Sequence, residues 1–160
     1  MAKVIASEHN TVAEPWWGKG KIVGFGLAAG ISWWALTNIL NKYVIEPFAC
    51  RDLSLVDSCT GSLGTSGSIA AVLVAVLFAY VLVRALQPRP IIVTASALLL
   101  LWDLGLWTTG LGWLVTVLWA AGLYAVIYSL FSLVARMRVL WASALVALFI
   151  VVAIRLILTF

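Results

Sequence analysis

Residues 91–113 read IIVTASALLLLWDLGLWTTGLGW. The run is apolar enough to cross a bilayer, yet Asp103 lies well inside it, and no other acidic residue falls clearly within a hydrophobic segment. An acid held in hydrocarbon is energetically costly, so it is expected to have a partner or a task. Asp103 is therefore the first position to follow through the chain.

The composition around it agrees with a membrane setting. Of 160 residues, 64% are hydrophobic and 10% charged, and the mean hydropathy is +1.13. Soluble domains are about 45–50% apolar and about 25% charged. Because each crossing takes roughly 20 residues, most of the chain is committed to crossing and little is left for a soluble catalytic domain. The expected fold is all-α, a single polytopic bundle with five transmembrane helices over about 22–43, 68–86, 91–108, 113–135 and 139–159. A polar tail, 1–21, precedes it.

The tail ends Glu14-Pro15-Trp16-Trp17-Gly18-Lys19-Gly20-Lys21, paired Trp beside Lys, the composition of an interfacial anchor. It lacks a short hydrophobic core followed by a small-residue cleavage site, so the first hydrophobic segment is expected to be retained. In that segment Gly20, Gly24 and Ala28 recur at four-residue spacing, and Gly26 and Gly30 form a second pair. Small residues at this spacing let a neighbouring helix approach closely. Ala71, Ala75 and Ala79 form a similar ridge in the second helix.

Residues 45–67, IEPFACRDLSLVDSCTGSLGTSG, read as the outer loop, rich in Ser, Gly and Thr. Lys3, Lys19, Lys21, Arg84, Arg89, Arg136 and Arg138 fall on one side of a five-helix arrangement; Arg51 falls on the other, with Lys42 at its boundary. The positive-inside rule then makes the N-terminus cytoplasmic and the C-terminus external. This places Cys50 and Cys59 outside, where two nearby thiols generally oxidise to a disulfide. No Cys-x-x-Cys pair is present, which counts against thiol–disulfide exchange. The net charge of +4 is topogenic, because no basic cluster with interleaved aromatics suggests nucleic acid.

Counting depth at about 1.5 Å per residue puts Asp103 roughly 18 Å, Arg155 roughly 24 Å, Asn38 about 24 Å and Lys42 about 30 Å from the cytoplasmic boundary. These four positions, from three helices, are expected to converge as a polar intramembrane cluster, with Arg155 as the natural partner of Asp103. Their convergence has two readings: a lock between helices, or an outward-open cavity for an ion or small solute. A transport pathway would be better supported by further acids, His or a discontinuous helix, none of which is legible. The nine Trp are expected mainly as interfacial anchors, Trp33, Trp34, Trp107 and Trp113 at the outer face and Trp16, Trp17 and Trp141 at the inner. Trp102 and Trp119 lie deeper. Tyr124, Tyr128, Ser129 and Ser132 are expected to bond between helices.

The one histidine, His9, lies in the tail, so no His-based metal or haem site fits the membrane core. No catalytic residues, metal or cofactor are expected. The sequence points to a small non-catalytic membrane protein of a bacterial or archaeal cytoplasmic membrane. Its expected partners are the lipid bilayer and either other membrane subunits or further copies of itself. A minimal oligomeric transporter or channel using Asp103 is the alternative, and an outward-facing thiol–disulfide redox protein ranks last.

Overall fold

The computed structural model describes residues 17–49, 62–84, 90–135 and 139–159. Cys50, Cys59, Arg51, the arginines at 89, 136 and 138, and the tail with His9 lie outside the described residues. Helix α1 is Trp17–Leu40; it runs through a π-helical turn, Asn41–Ile45, into α2, Glu46–Ala49. Then come α3 (Ser62–Arg84), α4 (Pro90–Leu100), α5 (Leu104–Trp107), α6 (Trp113–Ala135) and α7 (Leu140–Thr159). No strand occurs among the described residues.

Three helical runs, Gly20–Phe48, Ser62–Arg84 and Trp113–Ala135, are long and apolar enough to cross a membrane. Pro90–Leu100 and Trp141–Ile157 are shorter apolar runs. Four helices close a ring: α1 packs on α3 and α6, and α4 fills the remaining side between α3 and α6. Helix α7 lies outside the ring against α4 and α6. The ring is filled by Val74 and Phe78 of α3 and by Tyr124, Tyr128 and Phe131 of α6, with Phe78 edge-on to Tyr128.

The α1–α6 crossing is the closest. A Cβ placed on Gly26 would lie 2.5 Å from the Ala125 Cα, and one on Gly30 would lie 2.5 Å from the Ala121 Cα. The Gly26–Gly30 pair thus meets a small-xxx-small pair of α6, close backbone approach being what replaces the hydrophobic effect between helices in lipid. The companion ridge, Gly20, Gly24 and Ala28, does not pack inside the bundle. All three positions are exposed, and nothing lies within 4 Å of a Cβ built on Gly20 or Gly24. Two glycine series two residues apart point to nearly opposite sides of a helix of 3.6 residues per turn, so one neighbour serves only one of them. On α3, Ala71 is buried and Ala75 and Ala79 are half-buried.

The expected outer loop, 45–67, is shorter than its composition indicates. The first helix continues past 43 because a π turn, closed by the Glu46 N–H donating to the Asn41 carbonyl, carries it into α2. At the other end α3 begins at Ser62, not 68. Its polar residues turn back on their own helix, Ser66 Oγ donating to the Leu63 carbonyl at 3.0 Å and Ser68 Oγ to the Gly64 carbonyl at 3.1 Å. Such residues read as a loop in water, but close helix packing uses them in lipid.

Candidate functional site: a helix broken at an acid

The third hydrophobic stretch is not one helix. Helix α4 ends at Leu100; its last i→i−4 bond is Leu101 N–H to the Ala97 carbonyl at 3.0 Å. Asp103 then sits at φ −95°, ψ 12° as the residue before α5, in the sparsely populated bridge region between helix and strand. At about 1.5 Å per residue, the eleven residues of α4 rise roughly 16 Å, about half of what a 30 Å hydrocarbon layer requires.

Broken backbone in an apolar stretch needs its polar groups satisfied by neighbours, since an unpaired polar group away from water is costly. Two neighbours do so. The Arg155 guanidinium of α7 donates to the Leu99 carbonyl through Nε at 3.0 Å and Nη2 at 2.6 Å, and its Nη1 pairs with the Asp103 carboxylate. From α3, Ser68 Oγ lies 3.3 Å from the Trp102 carbonyl. The planar fork of Arg lets one side chain hold a helix end and a carboxylate together. The same contact ties α7 to the ring. Its other end is held by Ser143 Oγ donating to the Val134 carbonyl of α6 at 3.0 Å.

The break is located by Gly105. A Cβ at this position would lie 2.9 Å from the Leu63 carbonyl oxygen and about as close as van der Waals contact allows to Gly64 and Gly67. Helix α5 can therefore press onto the first turns of α3, off the axis of α4. Gly64, Gly67 and Gly105 are positions that sequence reasoning passed over. Their signal was a Gly two residues after the acid, with two more glycines in a stretch read as loop. Trp33 locks the same contact. It is 1% exposed, far from the interfacial anchor expected of it, and its Nε1–H donates to the Gly67 carbonyl at 2.9 Å.

The four positions expected to converge fall into three places. Asp103 and Arg155 are paired, with 34% and 28% of their side-chain surface exposed. Asn38 donates to the Trp34 carbonyl of its own helix and lines a different cleft, alongside Thr108 and Thr116. Lys42 is exposed beside Tyr43, its Nζ 5.9 Å from the ring centre. Helix α1 lies next to α3 and α6 while Arg155 belongs to α7 outside the ring, so residues matched in counted depth are not lateral neighbours. The expected bonds between helices in α6 are likewise absent: Ser129 and Ser132 donate to the Ala125 and Ser129 carbonyls within α6, and the Tyr128 hydroxyl has no partner among the described residues.

Three hollows surround the broken segment. An open groove of about 500 Å³ between α3 and the break exposes the Asp103 carboxylate beside Thr65, Ser68 and Trp102. On the opposite side an apolar furrow of about 620 Å³ runs between α4–α5 and α6, lined by Leu100, Leu104, Trp107, Trp119 and Leu123 and reached by Ile154 of α7. A third, narrower cleft of about 190 Å³ lies where α5 turns into α6. Among the described residues no three His, Cys, Asp or Glu side chains gather as a metal site. At the break itself, the Asp103 carboxylate is paired with the Arg155 guanidinium.

No protein-family model, curated protein or solved structure matches this chain.

Proposed function

We propose that this chain is a non-catalytic membrane protein that works as an assembly partner, crossing the membrane five times with its N-terminus cytoplasmic and its C-terminus external. The observation that carries the reading is the unused face of α1. Gly26 and Gly30 are consumed within the bundle, whereas Gly20, Gly24 and Ala28 remain exposed, and a glycine ridge open to lipid is a surface for another helix. The Asp103–Arg155 contact supports the same reading as a structural latch, since its polar atoms are directed at each other and at the Leu99 carbonyl. Charge asymmetry supports the orientation, with Cys50 and Cys59 as an external disulfide.

The test is the mass of the particle in mild detergent, by light scattering, for the wild type and for Gly24→Ile. The wild type is expected to run as a complex with itself or with a second membrane protein, and Gly24→Ile as the bare chain with an unchanged melting temperature. A wild-type chain that runs alone, and gives no cross-link from a cysteine at 24 in membranes, overturns the reading. Impermeant thiol labelling of a cysteine added at the C-terminus tests the orientation.

A second reading, a minimal transporter of an ion or small solute, draws on one specific observation: the helix is interrupted at Asp103, and a groove reaches its carboxylate. Interrupted helices expose backbone groups that ligate solutes in many carriers. Under this reading Asp103→Asn abolishes flux in proteoliposomes while the fold survives; unchanged flux removes it.

A further inference from the structure

We infer that the cleft between α1, the α5–α6 turn and the start of α6 is a binding site for a neutral, hydroxyl-rich ligand the size of a single sugar ring. Its lining contains no Asp, Glu, Lys or Arg. An ionised ligand would give up its hydration there with no opposite charge to replace it. Volume sets the scale: about 190 Å³ equals roughly six waters at about 30 Å³ each.

The hydrogen-bonding character follows from where the hydroxyl protons already go. Thr108 donates to the Leu104 carbonyl at 2.9 Å, Thr109 to the Leu106 carbonyl at 2.6 Å and Thr116 to the Gly112 carbonyl at 3.2 Å. A hydroxyl has one proton and two lone pairs, so each threonine has only acceptor capacity left for a ligand. Asn38 has committed one amide hydrogen to the Trp34 carbonyl at 2.8 Å and keeps its other hydrogen and its oxygen.

Donors belong to the same lining. The first i→i−4 bond into α6 is made by the Thr116 N–H, which leaves the amide of Trp113, a lining residue, among the orphan donors of a helix start. The indole N–H groups of Trp34 and Trp113 have no partner among the described residues. A cation would suit the lone pairs but oppose the positive end of the α6 dipole; an anion would suit the dipole but meet the lone pairs. Hydroxyl groups satisfy both because each donates and accepts. The Trp34 and Trp113 rings, 6.3 Å apart and tilted by 36°, add flat apolar walls with polar edges, matched to the C–H faces of a sugar ring.

The ligand is either a free saccharide or the sugar headgroup of a glycolipid. The protein, purified in a sugar-free amine-oxide detergent and placed in phosphatidylcholine nanodiscs, is titrated with D-glucose by calorimetry. A second preparation contains glucosyl diacylglycerol, and its retention is read by native mass spectrometry. Saturation by glucose assigns a free saccharide; retention of the glycolipid without a glucose response assigns the headgroup. In whichever arm responds, Asn38→Ala and Thr116→Val each weaken binding about tenfold, one good hydrogen bond's worth, while Thr116→Ser stays within about threefold of wild type. Asn38 is exposed, so its variant reads binding even if Thr116→Val disturbs folding. Binding in neither arm, unchanged affinity in both Asn38→Ala and Thr116→Val, or equal saturation by methylammonium chloride or sodium phosphate overturns the inference.

Discussion

Replacing Arg155 with Met deletes at least three polar contacts at once, among them two donors to the Leu99 carbonyl and the pairing with Asp103. The size of the loss depends on which limit applies. Fully exposed ion pairs contribute about 0–1 kcal/mol, whereas stranding one partner of a fully buried pair costs about 3–5 kcal/mol. Here both side chains keep roughly a third of their surface exposed. Polar contacts between membrane helices average about 0.6 kcal/mol, because unfolded segments also find partners in the bilayer. Arg155→Met is therefore expected to lower stability by about 2 kcal/mol. Asp103→Asn keeps an acceptor for Arg155 and is expected to cost about 1 kcal/mol. The double variant should be less damaging than the two losses together, leaving a coupling of about 1 kcal/mol. Reversible unfolding in mixed micelles with rising SDS fraction measures all four states. Amide exchange at residues 101–104 should quicken selectively in Arg155→Met. The same geometry predicts that exchanging the two residues fails, because an Asp at 155 would face the Leu99 carbonyl with no donor. Single variants within about 0.5 kcal/mol of wild type, a coupling near zero, or a stable exchanged variant would refute the view that Arg155 holds both the acid and the broken helix end.

Gly26→Ala and Gly30→Ala each drive a methyl into the α6 backbone and should cost about 1–3 kcal/mol in the same micelle titration, whereas Gly24→Ala, with open space around it, should not destabilise the fold. Trp33→Phe removes the donor from the buried Gly67 carbonyl and should lower stability by about 1–3 kcal/mol, with loosening at α5 visible in amide exchange. Tyr128→Phe should be neutral or stabilising, since the hydroxyl it removes is buried without a partner among the described residues and its burial is uncompensated; a loss above about 1 kcal/mol would reveal a hidden partner.

The Asp103–Arg155 pair was legible as a depth match because helix rise is a property of the local backbone, so sequence position converts directly to height. Asn38 and Lys42 passed the same depth criterion and lie elsewhere, since height says nothing about which helices are neighbours. Among the glycines, spacing marked both ridges of α1 but did not say which would be covered. That depended on Ala125 and Ala121 of α6, far along the chain, arriving against Gly26 and Gly30.

The chain by itself determined the consequences of transfer free energy and helix rise: an all-helical protein with long apolar runs, and one acid set within an apolar stretch. Tertiary structure decided the rest. It broke the third helix at Asp103, because three glycines let α5 leave the axis of α4 for α3 and because Arg155 and Ser68 were at hand to take the carbonyls this released. A break in lipid exists only where other helices supply the missing hydrogen bonds, and those donors come from positions that no local reading of residues 91–113 contains.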